Sequence, residues 1–246
     1  MAKTYQSPAM LGDPHHFCPG CGHGIISRVM AEVLEDRGLQ NNFILAKGVG
    51  CSCNLRNLHV DALQCSHGRA CASARGIRAA RPGVCIVSYQ GDGDAYVIGL
   101  QETLNAAYAK TNMTLITVNN SNFGMTGGQM AWTTLPGQVT TTSPHGRPVD
   151  GPQPILVPEI VAASFDPAFV ARASVHSPAE IGKLKKYMET AIDSQMAGLG
   201  FSMIEVLAPC PTNWGLSVEK AYARVPAEMM KFYPLGVLAD RTRKED

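Results

Sequence analysis

The sequence predicts an α/β fold, a parallel sheet with helices on both faces. Three observations carry that expectation. The apolar runs at residues 84–88 and 114–118 are continuous rather than alternating, as in strands buried on both faces. Segments of helical periodicity separate such runs, and strand–helix alternation builds parallel sheets. The 246 residues, 45% of them hydrophobic, are enough for one large core, so residues 1–246 read as one domain.

Taken in order, residues 22–37 form the first helix. Ile25, Ile26, Val29, Met30, Val33 and Leu34 recur at helical spacing, and Gly38 stands where a C-terminal cap belongs. Residues 43–46 are a short strand running into Gly48-Val49-Gly50-Cys51. An Ala-rich helix is predicted over 67–81, opened by His67 and ended by Pro82-Gly83. The strand 84–88 follows, then a helix over 95–108 and the strand 114–118. Residues 133–154 are rich in Thr, Pro and Gly without periodicity, which predicts a long ordered loop. Residues 169–173 read as a strand and 178–196 as an amphipathic helix whose first turn suits Pro178 and Glu180. A last strand spans 201–207, and 219–246 is a charged tail, helical or irregular.

Composition excludes several classes. Only 17% of residues are charged, against ~25% in ordinary domains, so part of the surface is expected to be covered by another subunit. A net charge of +1 gives no bulk attraction to nucleic acid or an anionic membrane. No run approaches the ~18 apolar residues of a membrane span, and residues 1–13 lack the apolar stretch of a secretory signal. The expected location is the cytoplasm. In that compartment eight cysteines argue for metal ligation rather than disulfides.

Two motifs follow consecutive strands. Gly91-Asp92-Gly93-Asp94 lies past the strand at 84–88, and Asn119-Asn120 lies past the strand at 114–118. Ligands of open parallel sheets bind at the carboxyl ends of strands, so both motifs can face one site. Asp92 offers a hard carboxylate oxygen and Asn120 an amide oxygen, and phosphate oxygens would complete an octahedral magnesium shell. Gly91 and Gly93 would let backbone approach phosphates, with donors from the following helix N-terminus. Gly-Asp-Gly alone equally describes a turn and a helix N-cap; its pairing with Asn119-Asn120 favours a diphosphate site.

The cysteines form a second pattern. Cys18-Pro19-Gly20-Cys21 is a Cys-x-x-Cys knuckle, Cys51 follows a Gly-Val-Gly turn, and Cys210 lies between Pro209 and Pro211. Thiolates hold cubane iron–sulfur clusters, but Cys18, Cys21, Cys51 and Cys53 would equally make a tetrahedral zinc site. The residues alone leave that choice open. A redox dithiol fits less well, because no strand precedes Cys18.

The ordered set Cys18-Pro19-Gly20-Cys21-Gly22-His23-Gly24, Gly48-Val49-Gly50-Cys51, His67-Gly68-Arg69-Ala70, Gly91-Asp92-Gly93-Asp94, Asn119-Asn120, Thr126-Gly127-Gly128-Gln129 and Pro209-Cys210-Pro211-Thr212 resembles the β subunit of the 2-oxoacid:ferredoxin oxidoreductases across almost the whole chain. The resemblance implies a thiamine-diphosphate-binding fold. It implies a [4Fe–4S] cluster on Cys18, Cys21, Cys51 and Cys210, and Mg2+ on Asp92, Asn120 and the main-chain carbonyl of Asn122. Contacts to thiamine diphosphate are implied for Gly50, His67, Gly91, Asp92, Gly93, Asp94, Asn120, Thr126 and Gly127. The implied reaction is coenzyme A-dependent oxidative decarboxylation of a 2-oxoacid, with electrons passed to ferredoxin. There is no room here for a pyrimidine-binding domain, so the glutamate that activates the cofactor is expected on a partner subunit. A non-redox decarboxylase would share the magnesium motif but not need the cysteines; a zinc module would need only the cysteines.

The stretch Ser52-Cys53-Asn54-Leu55-Arg56 is where the substrate would be selected. Arg56 would suit the distal carboxylate of 2-oxoglutarate, and Asn54 and Leu55 a branched-chain 2-oxoacid. Cys53 is the rival for a ligand place, Cys65 matches no ligand position, and Cys71 and Cys85 read as apolar packing. His67 competes with a capping or core role. Arg69, Arg75, Arg78 and Arg81 read as a solvated or interface face, Trp132 as an entrance or interface residue, and His15 and His16 as surface.

Overall fold

A computed structural model describes residues 6–12 and 15–242. The apolar runs become inner strands: β1 (Phe43–Lys47), β3 (Cys85–Gly91), β4 (Thr114–Asn119), β5 (Phe169–Ser174) and β6 (Ser202–Leu207). Every residue of β4, β5 and β6 is buried, which is why their sequences show no alternation. Two strands escape the sequence reading. One is β2 (Asp61–Gln64), an edge strand exposed along its whole length. The other is β7 (Gly236–Asp240), which lies within the segment read as a tail. The sheet order among the described residues is β2-β1-β3-β4-β6-β5-β7. The sheet is parallel as expected, with one antiparallel pair, β5 with β7, at its edge.

Helices cover both faces. On one, α1 (Gly22–Asp36) and α5 (Pro178–Met196) bury Ile26, Val29, Leu34, Leu184, Met188 and Ile192 against Leu45, Val87, Tyr89 and Ile204. On the other, α2 (Ala70–Ala80), α3 (Leu100–Tyr108) and α4 (Val157–Ser164) pack Ala70, Ala74, Ala106 and Val161 against Ala46, Ile86, Leu115 and Met203. Neighbouring residues of β1 and β3 thus face opposite layers, as the two-residue strand period requires. Gly38 ends α1 with φ +63°, the left-handed cap expected of it. His67 does not open α2: it lies in a turn closed by Arg69 N–H to Ser66 O at 2.9 Å, and the helix begins at Ala70. The stretch 133–154 is a loop, as expected, and α4 follows it unpredicted. The tail folds into α6 (Val218–Arg224), further short helical turns and β7; its last four residues lie outside the described ones.

The order of strands decides where chemistry can gather. β1, β3, β4 and β6 are successive neighbours. Beyond their carboxyl ends come Gly48–Cys51, Gly91–Asp94, Asn119–Asn122 and Pro209–Pro211 in turn. Four motifs far apart in sequence therefore share one rim of the sheet.

Candidate functional site

A depression on that rim is lined by Gly50, Cys51, His67, Gly91, Asp92, Gly93, Asp94, Asn120, Asn122 and Thr126, all singled out from the sequence. Gly127, at φ +113°, falls outside its lining. Gly91 opens onto free space, since a Cβ there would meet nothing within 4 Å. Gly93 answers a different need: a Cβ would lie 2.5 Å from the Phe123 ring, so ring packing rather than phosphate approach forbids a side chain there.

Asp92 is 1% exposed. It accepts a short hydrogen bond from Thr133 Oγ1, and burial pushes its carboxyl up to about 7. No cationic side chain pairs with it among the described residues. A buried carboxylate left so is costly. One amide position of Asn120 lies 2.7 Å from the Asn122 carbonyl oxygen and 3.2 Å from Asp92 Oδ1. Nitrogen in that position closes the three groups by hydrogen bonds. Oxygen there sets the Asn120 ligand oxygen 2.7 and 3.2 Å from the other two, near the ~2.9 Å octahedral edge that follows from magnesium–oxygen distances of about 2.0–2.1 Å. The Asn122 side-chain Oδ1 is also buried without a partner. These donors fit a hard dication.

The loop carrying these ligands is held in an unusual shape. Ser121 has φ +58°, which a non-glycine residue adopts at a cost. The Asn119 side chain accepts from Ser121 N–H at 3.0 Å. Thr134 Oγ1 and Gln138 Nε2 donate to the Ser121 carbonyl at 2.8 and 3.0 Å, and Trp214 Nε1 donates to the Asn120 carbonyl at 3.1 Å. The conformation is thus over-determined by its surroundings.

Asp94 is 2% exposed and its oxygens are engaged within the protein. Oδ1 accepts from Gly68 N–H at 2.7 Å and makes a short contact with His67 Nδ1; Oδ2 accepts from Gln90 Nε2 at 2.7 Å. A Cβ on Gly48 would overlap that carboxylate, which explains the first glycine of Gly-Val-Gly. Asp94 thereby orients His67, whose other ring nitrogen remains for a ligand in the depression.

The knuckle closes through Cys21 N–H to Cys18 O at 3.0 Å, and Gly22 packs on Ala208 and Pro209. That contact sets the knuckle against the segment that follows β6 and carries Cys210. Burial pushes the Cys21 and Cys51 thiols up to about 12, with the charges of Cys18 and Cys210 adding to it in both cases. Burial also raises Cys210. Thiols that resist ionisation in this setting become good ligands only beside a cation. Among the described residues no three Cys, His, Asp or Glu side chains converge as the ligands of one ion do. A cubane, with one thiolate per iron, spaces its sulfurs more widely. The Cys53 sulfur lies 3.9 Å from Asn54 Oδ1 and 4.0 Å from Met125 Sδ.

Of the substrate stretch, Leu55 is buried in the core, while Arg56 is exposed and outside the depression's lining. Arg69 pairs with Glu102 at 2.6 Å, and Arg78 donates to the Asn112 carbonyl at 2.7 Å, so neither points at the site. Cys71 is not simply apolar packing: its thiol lies 3.3 Å from Gln90 Oε1 within a buried polar group. Sequence reasoning gave no role to His23. It is 1% exposed, lines the depression, stacks on Phe17 and shares a 2.8 Å hydrogen bond with the Tyr89 hydroxyl. Burial lowers it to about 4, so the ring is neutral. Only its place in the Cys21-Gly22-His23 run signalled it.

The family model of the thiamine pyrophosphate enzyme C-terminal TPP-binding domain matches residues 43–206. The ketoisovalerate oxidoreductase subunit VorA of Methanothermobacter thermautotrophicus is 37% identical over 94% of this chain and 49% of its own length. The chain thus spans about half the length of that relative. The 2-oxoglutarate synthase subunit KorB of Methanothermobacter marburgensis is 35% identical over 89% of this chain and 73% of its own. The fold is that of 2-oxoglutarate:ferredoxin oxidoreductase from Magnetococcus marinus, with a TM-score of 0.80 at 24% identity over 97% of this chain and 86% of that one.

Proposed function

The chain belongs to the β-subunit family of the 2-oxoacid:ferredoxin oxidoreductases, within the thiamine-diphosphate-binding fold, and from that premise we propose that it is the diphosphate-binding part of an enzyme converting a 2-oxoacid and coenzyme A to acyl-CoA and CO2. Cys18, Cys21, Cys51 and Cys210 would hold a [4Fe–4S] cluster, which would supply the electron outlet to ferredoxin. The observation that carries this reading is the shared rim: Cys51 lines the same depression as Asp92, Asn120 and Asn122. A magnesium-held cofactor and an electron acceptor would there be neighbours.

Thiamine diphosphate, when bound, supplies the carbanion-stabilising chemistry. The protein's part is to hold, orient and exclude. Asp92, Asn120 and the Asn122 carbonyl would hold Mg2+, and the dication would offset the buried carboxylate. Gly50 and Gly91 leave room, Gly93, Asp94, Thr126 and Gly127 shape the surrounding loops, and His67, fixed by Asp94, donates to a phosphate oxygen. The neutral, buried His23, hydrogen-bonded to Tyr89, lines the depression. The pyrimidine half of the cofactor, with its activating glutamate, is bound by a partner subunit. The work is cytoplasmic; no helix among the described residues is long and apolar enough to cross a membrane.

The substrate is 2-oxoglutarate or a branched-chain 2-oxoacid, the classes named for the two curated relatives. The test is reduction of ferredoxin or a viologen dye by the complex with its partner subunits, across a panel of 2-oxoacids with and without coenzyme A. The proposal expects reduction that needs both substrates. Aldehyde release without any reduced acceptor would instead indicate a non-redox decarboxylase.

A further inference from the structure

Asn213 touches both halves of the site. Its Nδ2 donates to the Gly124 carbonyl at 2.7 Å and to the Cys210 sulfur at 3.6 Å. A primary amide has two N–H bonds, so both contacts are made at once. The main-chain N–H of Asn213 also donates to that sulfur. The short helix Pro211–Trp214 makes this possible, folding position 213 back over position 210 with Trp214 N–H on the Cys210 carbonyl at 3.1 Å.

The magnesium loop is shaped around that side chain. A Cβ on Gly128 would come 3.2 Å from Asn213 Cβ, and one on Gly124 would come 3.0 Å from Cys51 Sγ and 3.3 Å from Asn120 Nδ2. Gly124 thus lies against one proposed cluster ligand and one magnesium ligand, and Asn213 ties it to a second cluster ligand. A reduced cluster carries one more negative charge, spread partly onto its thiolate sulfurs. An N–H aimed at such a sulfur therefore favours the reduced form and raises the potential.

We propose that Asn213 is a positioning residue that raises the cluster's reduction potential through its side-chain hydrogen bond to Cys210. The inference rests on the cluster reading given above. The plain alternative is that Asn213 only anchors the loop through Gly124, which would leave the potential unmoved.

The test is a redox titration of the complete complex, followed by electron paramagnetic resonance, on the wild type, Asn213→Leu and Asn213→Ser. Leu fills the slot without a donor; Ser is too short to reach both partners. The wild-type titration comes first: no iron–sulfur signal there sinks the cluster reading itself. With the cluster present, each variant should keep its iron and shift the midpoint to more negative potential. A tenfold change in the reduction equilibrium is the expected size, ~59 mV for one electron. An iron-replete variant with the wild-type midpoint would overturn the role. So would cluster loss in both variants, which would make Asn213 a support for ligation alone.

Discussion

Asn119 Nδ2 donates to Glu205 Oε1 at 3.1 Å, and that bond connects the magnesium loop to a salt bridge inside the sheet. The other Glu205 oxygen is bound to Arg172 Nε. Both Arg172 and Glu205 are fully buried, and Glu159 takes the two terminal nitrogens of Arg172 at 2.6 and 2.7 Å. Glu205→Ala should cost about 3–5 kcal/mol of unfolding free energy, because the buried Arg172 keeps Glu159 but its Nε and the Asn119 amide lose their acceptor. Glu205→Gln, which keeps an acceptor for Asn119, should cost less. Urea unfolding of both variants checks this. A loss below ~0.5 kcal/mol for the alanine variant, the size of an ordinary surface change, would mean the network carries no weight.

Asp92→Ala should abolish copurification of thiamine diphosphate with the complex. The melting temperature of the cofactor-free protein should stay the same or rise, since the change removes a buried, unpaired acid. Cofactor analysis and a thermal melt give both answers. Stoichiometric thiamine diphosphate in the variant would show that Asp92 is not the anchor.

Asp94 and His67 should separate in effect. Asp94→Ala leaves the Gly68 N–H and the Gln90 amide without their acceptor, a cost of about 1–3 kcal/mol for each stranded donor. His67→Ala removes a ring at 31% exposure and should leave the fold intact. Its effect should fall on diphosphate binding, weakened roughly tenfold or more by losing a hydrogen bond to a charged group. Calorimetric titration and unfolding of the two variants distinguish them; equal loss of stability would contradict the division.

Much of this arrangement was legible in the sequence, and the reasons are physical. β4, β5 and β6 are buried on both faces, so their runs are mostly apolar, Arg172 and Glu205 apart, and are legible within a residue or so at each end. Asp92 and Asn120 were found because strand ends are where such a sheet binds ligands. β2 and β7 left no signal because they are edge strands, which need no apolar run. The polar interior was silent for another reason. Arg172, Glu205 and Asn213 owe their positions to partners 13 residues or more away along the chain, apart from the local turn of Asn213 on Cys210, and no spacing rule reaches so far. Ser121 was missed because its left-handed backbone is imposed by Thr134 and Gln138, not by its own residue type.

The partner requirement is a prediction in its own right. Purified alone, the chain should bind thiamine diphosphate weakly and reduce no acceptor, and adding the partner subunit should restore both. Full activity from this chain alone, with ferredoxin or a dye, would place the whole cofactor site within it.

The central claim is that one cluster, held by Cys210 and not by Cys53, stands beside the cofactor cradle. The direct measurement is iron and sulfide content, with the low-temperature paramagnetic resonance spectrum, of the anaerobically purified complex carrying Cys210→Ser or Cys53→Ser. Wild-type iron and spectrum are expected for Cys53→Ser, because a Cys51-x-Cys53 pair would force two adjacent corners of the cubane onto one tripeptide. Lost iron or a three-iron spectrum is expected for Cys210→Ser, with electron transfer falling alongside. Cluster loss on changing Cys53 and none on changing Cys210, or zinc in place of iron in the wild type, would contradict the claim.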